Sequence, residues 1–209
     1  MELTWYGLSC FRLSERKHAS IVTDPYGRTI GLPELKLRAD VVTVSHNAKG
    51  HSYLTAVSGS RHVLDGPGEY EIGSVFITGI ASYSKDGNGR NVIYVFDMDG
   101  ISVAHLGDIQ QVPEQKEIEA LGQVNILLTP VGGGNSLNAA QAAELVSLFE
   151  PNIVVPMHYK IPGLKLDLDD VDRFLKEMGV TEPREEATLK LTTSGLPEET
   201  ETVVLKPKV

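Results

Sequence analysis

Three short constellations in this chain carry residue types that could do chemistry. His46 and His51 bracket a polar, turn-forming stretch, SHNAKGH. His105-Leu106-Gly107-Asp108 forms the second, and His158 follows the apolar run Ile153-Val154-Val155-Pro156-Met157 as the third. Neutral imidazole and carboxylate both coordinate zinc and similar ions, and three protein ligands plus a water make a reactive centre. Such an ion lowers the pKa of its water and polarises a carbonyl or phosphoryl oxygen. Spacing alone is a weak signal, because a lone histidine at a strand end is more often a hydrogen-bonded structural residue.

The elements that must position these residues are strands. Residues 39–44 are nearly continuous and β-branched, as in a strand buried on both faces, and lead straight into His46. Residues 91–96 and 101–105 read as a hairpin closed by Asp97-Met98-Asp99-Gly100, where glycine supplies the positive φ of a tight turn. Residues 125–129 and 152–156 are further apolar strands, the second leading to His158. Each constellation therefore follows a buried strand, where layered α/β proteins commonly place ligand sites.

The remaining chain fills in the layers. Short strands are expected at 2–6, 9–13, 19–23, 62–64 and 74–81, with turns at 24–27 and 67–70 and a loop at 84–89. Helices are expected at 113–121, at 139–149 with Asn138 as cap, and from Asp167 or Asp169 to Met178. The last has an apolar face of Leu168, Val171, Phe174, Leu175 and Met178, which reads as core. Residues 188–193 and 201–206 close the fold. Strands dominate early and alternate with helices later, which implies α/β or α+β layers. No repeat or linker interrupts residues 1–209. They read as one domain, with two pseudo-equivalent halves meeting near residue 105.

Composition narrows the partners. The 209 residues are 41% hydrophobic and 22% charged, ordinary for a globular chain able to hold its own core. A formal net charge of -9 argues against a broad phosphate-binding face, so nucleic acid is not an expected partner. The single cysteine, Cys10, excludes a disulfide framework and fits a reducing compartment. No apolar run approaches the roughly 20 residues of a membrane span, and the N-terminus reads as a strand, so a cytoplasmic protein is expected. A homo-oligomer would be unremarkable.

Several segments together resemble the metallo-β-lactamase superfamily, in particular its small bacterial zinc-dependent hydrolase-like proteins. They are WYGLSCFRL, DPY at 24–26, ADVVTVSH leading to His51, PGEYEIGSVFITGI, RNVIYVFDMDGISVAHLGD, ILLTPVGGG and VVPMHY, in family order over roughly residues 1–160. The resemblance implies a four-layer αβ/βα sandwich of two mixed β-sheets flanked by helices. It also implies a metal site at His46, His51, Asp108 and His158, with Asp108 as the catalytic carboxylate.

The metal motif of this chain is degenerate. The family pattern HxHxDH aligns with HNAKGH, so Ala48 and Gly50 stand where a histidine and an aspartate belong. Ser84 stands where relatives carry another histidine. The resemblance therefore assigns His46 and Asp108 to a first metal position with two gaps. It assigns His51, Asp108 and His158 to a second that lacks its carboxylate. At most one Zn or Mn ion per chain is implied, with none as the alternative. Lys49 would disfavour an ion if it turned inward. Glu69, Glu71 and His105 are conceivable substitute ligands, though the first two read as exposed and His105 as a packing residue. His18 and His62 have no expected role.

Two functions from different classes follow. One is a hydrolase whose single metal-activated water attacks an ester, amide or phosphodiester of a small-molecule substrate in a sheet-edge cleft. The other is a binding or assembly module that has lost the metal. A serine hydrolase built on Ser45-His46 has little support, since no Gly-x-Ser-x-Gly elbow exists. Gly132-Gly133-Gly134 could cradle an anion, but reads more simply as a sharp strand exit.

Overall fold

A computed structural model describes residues 1–84, 87 and 89–209, so residues 85, 86 and 88 of the expected 84–89 loop lie outside it. The strands of the first part are β1 (Glu2–Trp5), β2 (Phe11–Ser14), β3 (Ile21–Thr23), β4 (Leu37–Arg38), β5 (Val41–Thr43), β6 (Val57–Ser58) and β7 (His62–Leu64). Those that follow are β8 (Gly68–Ile72), β9 (Val75–Tyr83), β10 (Arg90–Met98), β11 (Ile101–His105), β12 (Ile126–Pro130), β13 (Ile153–Met157), β14 (Arg184–Glu186), β15 (Leu189–Lys190) and β16 (Glu201–Leu205). Three α-helices, α1 (Gln115–Leu121), α2 (Ala139–Phe149) and α3 (Val171–Glu177), lie among the later strands. None of them is long and apolar enough to cross a membrane.

Two mixed sheets carry the fold, as expected of the metallo-β-lactamase architecture. The first has the order β15-β1-β2-β3-β5-β7 and the second β14-β16-β13-β12-β11-β10-β9-β8. In the first, β3, β5 and β7 run parallel. In the second, β11, β12, β13 and β16 run parallel. The parallel strands β5, β12 and β13 are buried along their whole length, which is why they read as unbroken apolar runs. Helix α2 packs on α3, α1 and β12. The buried apolar side chains form one continuous cluster, with Trp5, Tyr26, Tyr94, Phe11, Phe96 and Phe174 fully enclosed.

Several boundaries differ from the sequence reading. The expected turn at 67–70 is the start of β8, an edge strand pairing antiparallel with β9 from Gly68↔Gly79 to Ile72↔Val75. Glu69 and Glu71 face solvent there, as charges on an edge strand often do. Helix α3 begins at Val171 and not at 167 or 169, because the preceding backbone is spent on tertiary bonds. The Asp169 N–H donates to the Gly132 carbonyl at 2.9 Å, and the Asp169 carbonyl accepts from Lys160 N–H at 2.9 Å. Leu168 thus enters the core from a loop. Helix α1 starts at Gln115, beyond Pro113.

The chain passes from the first sheet to the second between β7 and β8, around residue 66, whereas residue 105 ends the fifth-from-edge strand β11 inside the second sheet. The last thirty residues then cross back. Strands β14 and β16 extend the second sheet, and β15 between them pairs with β1 in the first. The charged strand β14 has no apolar alternation and was not legible as a strand; the expected closing strand at 188–193 contracts to β15.

Candidate metal centre

Four loops meet where the parallel strands of both sheets end. Asp24 follows β3, and His46 and His51 follow β5. Asp108 follows β11, and His158 follows β13. Carboxyl ends of parallel strands leave side chains facing a common crevice. The first sheet therefore contributes His46 and His51, and the second contributes Asp108 and His158.

The ligand-bearing atoms of His46, His51 and Asp108 all lie within 4.8 Å of one another. His46 Nε2 is 3.7 Å from Asp108 Oδ2, and His158 Nε2 is 3.8 Å from Asp108 Oδ1. The ring centroids of His46 and His51 are 4.2 Å apart, and those of His51 and His158 are 5.5 Å apart. The resemblance assigns His46 and His51 to two different metal positions. The fold puts their ligand atoms together.

Each imidazole is held from behind through Nδ1. His51 Nδ1 donates to Asp24 Oδ2 at 2.9 Å. Asp24 is fully buried and also accepts the Ser45 N–H at 2.7 Å and the Ser45 hydroxyl at 2.6 Å. With its proton committed to Asp24, the Ser45 oxygen accepts from His46 Nδ1 at 3.0 Å. On the other side, the Ser136 hydroxyl donates to the Gly133 carbonyl at 2.9 Å and lies 3.3 Å from His158 Nδ1. These bonds fix the tautomers, so Nε2 of each ring carries the lone pair turned toward Asp108.

The backbone is equally constrained. His158 has φ 53, in the left-handed region where a non-glycine residue is strained. Its N–H donates to the Leu8 carbonyl and its carbonyl accepts from Gly132 N–H, both at 3.1 Å. A Cβ on Gly132 would lie 2.3 Å from that carbonyl, so the first glycine of the triplet permits the close approach. Among the described contacts the triplet thus serves as a strand exit seating His158. Gly107 has φ 62, and a Cβ there would meet Asn91 Oδ1 at 2.3 Å and Ser45 Cβ at 2.5 Å. Asn91 accepts the Asp108 N–H at 2.9 Å and donates to the Leu106 carbonyl at 2.9 Å, holding the HLGD turn on both sides of Gly107.

Electrostatics favour neutral, ligating imidazoles at two positions. Burial, helped by the charges of His51 and His46, pushes His158 down to about 4 against the pull of Asp108. Burial and the His51 charge also lower His46, with Asp24 and Asp108 opposing. For His51, burial acts downward, but the hydrogen bond and charge of Asp24 prevail and raise it. For Asp24, burial acts upward, and the His51 and Ser45 hydrogen bonds with the nearby histidine charges outweigh it, lowering the carboxyl.

The donor set fits a cation. Asp108 Oδ1 is buried and has no hydrogen-bond partner in the protein. An unpaired buried carboxylate oxygen is costly, and an ion shared with the His46 and His51 lone pairs, with His158 standing beside Asp108, would relieve it. Ala48 and Gly50 add nothing to this set. Gly50 has φ 102, and a Cβ there would lie 3.2 Å from Leu8 Cδ1, so its surroundings are apolar and shaped for glycine.

The remaining candidates fall outside the cluster. His105 is fully buried on β11, and its Nε2 lies 2.8 Å from the Ser9 carbonyl. Lys49 is exposed, as are His62, Glu69 and Glu71. Ser84 lines a small niche beside His46 and Asp108, together with Ser82, Arg90 and Gln110. Ser45 is buried, with its hydroxyl donating to Asp24. Cys10 is fully buried, and burial pushes its thiol well up. Sequence reasoning missed Asp24, Asn91 and Ser136, whose roles rest on contacts 17 to 27 residues apart in the chain.

Comparison with known proteins agrees with this geometry. A family model described as a beta-lactamase superfamily domain matches residues 2–158. A UPF0173 protein of Pyrococcus abyssi is 30% identical over 188 residues, covering 78% of this chain and 85% of the relative. A protein of Thermoplasma acidophilum, named a UPF0173 metal-dependent hydrolase, is 28% identical over 190 residues, covering 76% and 83%. Among solved structures, a candidate Zn-dependent hydrolase from Thermotoga maritima superposes with a TM-score of 0.79 at 34% identity, covering 98% of this chain and 97% of that one. With two mixed sheets, a histidine-carboxylate cluster where strands of both end and a family match over three quarters of its length, the chain belongs to the metallo-β-lactamase superfamily.

Proposed function

We propose that the protein is a metal-dependent hydrolase working with one divalent ion, zinc or manganese, held by His46, His51, Asp108 and His158. The observation that carries this reading is Asp108 Oδ1, buried and unpaired beside three imidazoles whose Nδ1 atoms are already engaged. Three nitrogens and a carboxylate suit zinc. A bound ion would supply an acidic water and polarise the scissile carbonyl or phosphoryl oxygen.

The chain's own groups do the rest. Asp24, Ser45 and Ser136 hold the rings in their ligating tautomers. Asp108 is the carboxylate that faces all three rings, and with glycine at position 50 it is the group placed to take a proton from water. His46 and Asp108 border a small niche beside the cluster. The substrate class is a small ester, amide or phosphodiester. We read residues 1–209 as one domain, since both sheets supply ligands to a single site.

The test is metal content by elemental mass spectrometry on protein purified without a metal-affinity tag. About one ion per chain, lost in His158→Ala, is expected, together with turnover in an ester and phosphodiester panel. Metal far below stoichiometry after zinc and manganese supplementation, in protein that is folded by circular dichroism, would overturn the reading. The scaffold would then be a binding or assembly module.

A further inference from the structure

Two cavities share the His46 wall. One is the niche of about 50 Å³ beside Asp108, lined by Ser82, Arg90, Asn91 and Gln110. That is room for little more than a water or one small polar group. The other is a groove of about 440 Å³ lined by Val44, Leu54, Val63, Asn47, Asp65 and Arg90. Its size suits a small organic molecule. Among the described residues, only His46 and Arg90 border both.

Arg90 is exposed at the start of β10. Its guanidinium donates to the Asp65 backbone carbonyl at 2.8 Å. No carboxylate lies within ion-pair reach of it among the described residues, although other exposed arginines such as Arg28, Arg173 and Arg184 have such partners. Arg90 shares the groove with Asp65 and the niche with Asp108, a cation bordering both cavities of a protein whose net charge is -9. A guanidinium tethered by one hydrogen bond keeps its remaining donors for a planar oxyanion.

We propose that Arg90 selects the substrate, recognising an anionic oxygen group at the end remote from the bond that is cleaved. The substrate is then a small acyl compound with a short apolar segment along Val44, Leu54 and Val63. Its reacting group sits by His46 and Asp108, and its free anionic end pairs with Arg90. Asp65 borders the same groove and opposes an anion there, so it sets an upper limit on affinity. This assignment rests on the reading of the His46–Asp108 cluster as the reacting centre.

The experiment compares linear dicarboxylates from glutarate to suberate with the matching monocarboxylates, by calorimetry on the metal-loaded protein. The difference within a pair isolates the second anionic end, since both ligands can present one carboxylate to the centre. The wild type should favour the best dicarboxylate by about fivefold, the value of one exposed ion pair. Arg90→Gln should abolish that preference and Asp65→Asn should increase it, with metal content and melting temperature unchanged in both. A preference that survives in Arg90→Gln, or none in the wild type, overturns the proposal. Hydrolysis of neutral esters, followed on the same samples, separates the two readings. Turnover without dicarboxylate preference leaves the hydrolase standing and removes the anion site. Preference without any turnover does the reverse.

Discussion

At the scale of single residues, the candidate centre depends on groups that would not themselves touch an ion. Asp24 is the chief one. It is fully buried, accepts three hydrogen bonds, and decides which nitrogen of His51 faces Asp108. Asp24→Asn keeps the volume but replaces one acceptor with an amide that must donate, so it conflicts either with the Ser45 N–H at Oδ1 or with both the Ser45 hydroxyl and His51 Nδ1 at Oδ2. Loss of such a partner typically weakens metal binding by about 10- to 100-fold. Chelator competition on folded Asp24→Asn should show that drop, and an unchanged affinity would remove Asp24 from the account. Neither Asp24 nor Asn91 was legible as part of a site. DPYG reads as a turn, and Asn91 reads as the first residue of a strand. Their partners lie far along the chain, so only their position in the folded molecule gives them a role.

Elements carry signals that are local, and these were the readable part. The hairpin between β10 and β11 turns on Asp99 and Gly100, with φ 54 and 75, the paired positive values of a tight two-residue turn. Helix α2 begins where the sequence placed it. Asn138 Oδ1 accepts the Gln141 N–H at 3.0 Å and the Gln141 side chain accepts the Asn138 N–H at 3.1 Å. The helix stops at Glu150, left-handed and followed by a proline that cannot continue it. Asn138→Ala should cost about 1 kcal/mol, lowering the melting temperature by about 2–4 °C in a chain of this size. Thermal melts followed by circular dichroism would check it, and a neutral substitution would mean that α2 is held by packing alone. Where elements were misjudged, as at β14 and the start of α3, local signals were overruled by partners in other segments. The edge strand β14 owes its extended form to β16, not to alternation of its own, whereas β8 does alternate, with Tyr70 and Ile72 packed against the core and Glu69 and Glu71 exposed.

The whole molecule is two sheets packed on one apolar core, with the candidate centre where strands of both end. His46 and His51 belong to one, and Asp108 and His158 to the other, so an ion among them would clamp the sheets. At the far end of the chain β15 returns to the first sheet between two strands of the second and supplies a second tie. A ligand present at about a thousand times its dissociation constant stabilises the folded state by about 4 kcal/mol, or on the order of 10 °C here. Adding a chelator to metal-loaded protein should therefore lower the melting temperature by about that much, and His158→Ala should be insensitive to it. A metal-loaded protein whose melting point ignores the chelator would show that the ion does not bridge the sheets.

The sequence by itself determined the architecture and four of the polar residues at its centre. Buried parallel strands must be apolar along their length, and tight turns and helix ends demand particular residues, so both leave marks that are readable in place. The resemblance to the superfamily also implies two absent ligands, at Ala48 and Gly50. The tertiary structure alone decided that His46 joins His51 and Asp108 in one cluster, which carboxylate holds His51, and that Arg90 stands at the mouth without an acidic partner among the described residues. These depend on distances between segments that the order of residues does not encode one by one. A metal site, a buried hydrogen-bond network and a substrate groove are properties of surfaces brought together from both sheets, and they exist only once the sheets have packed.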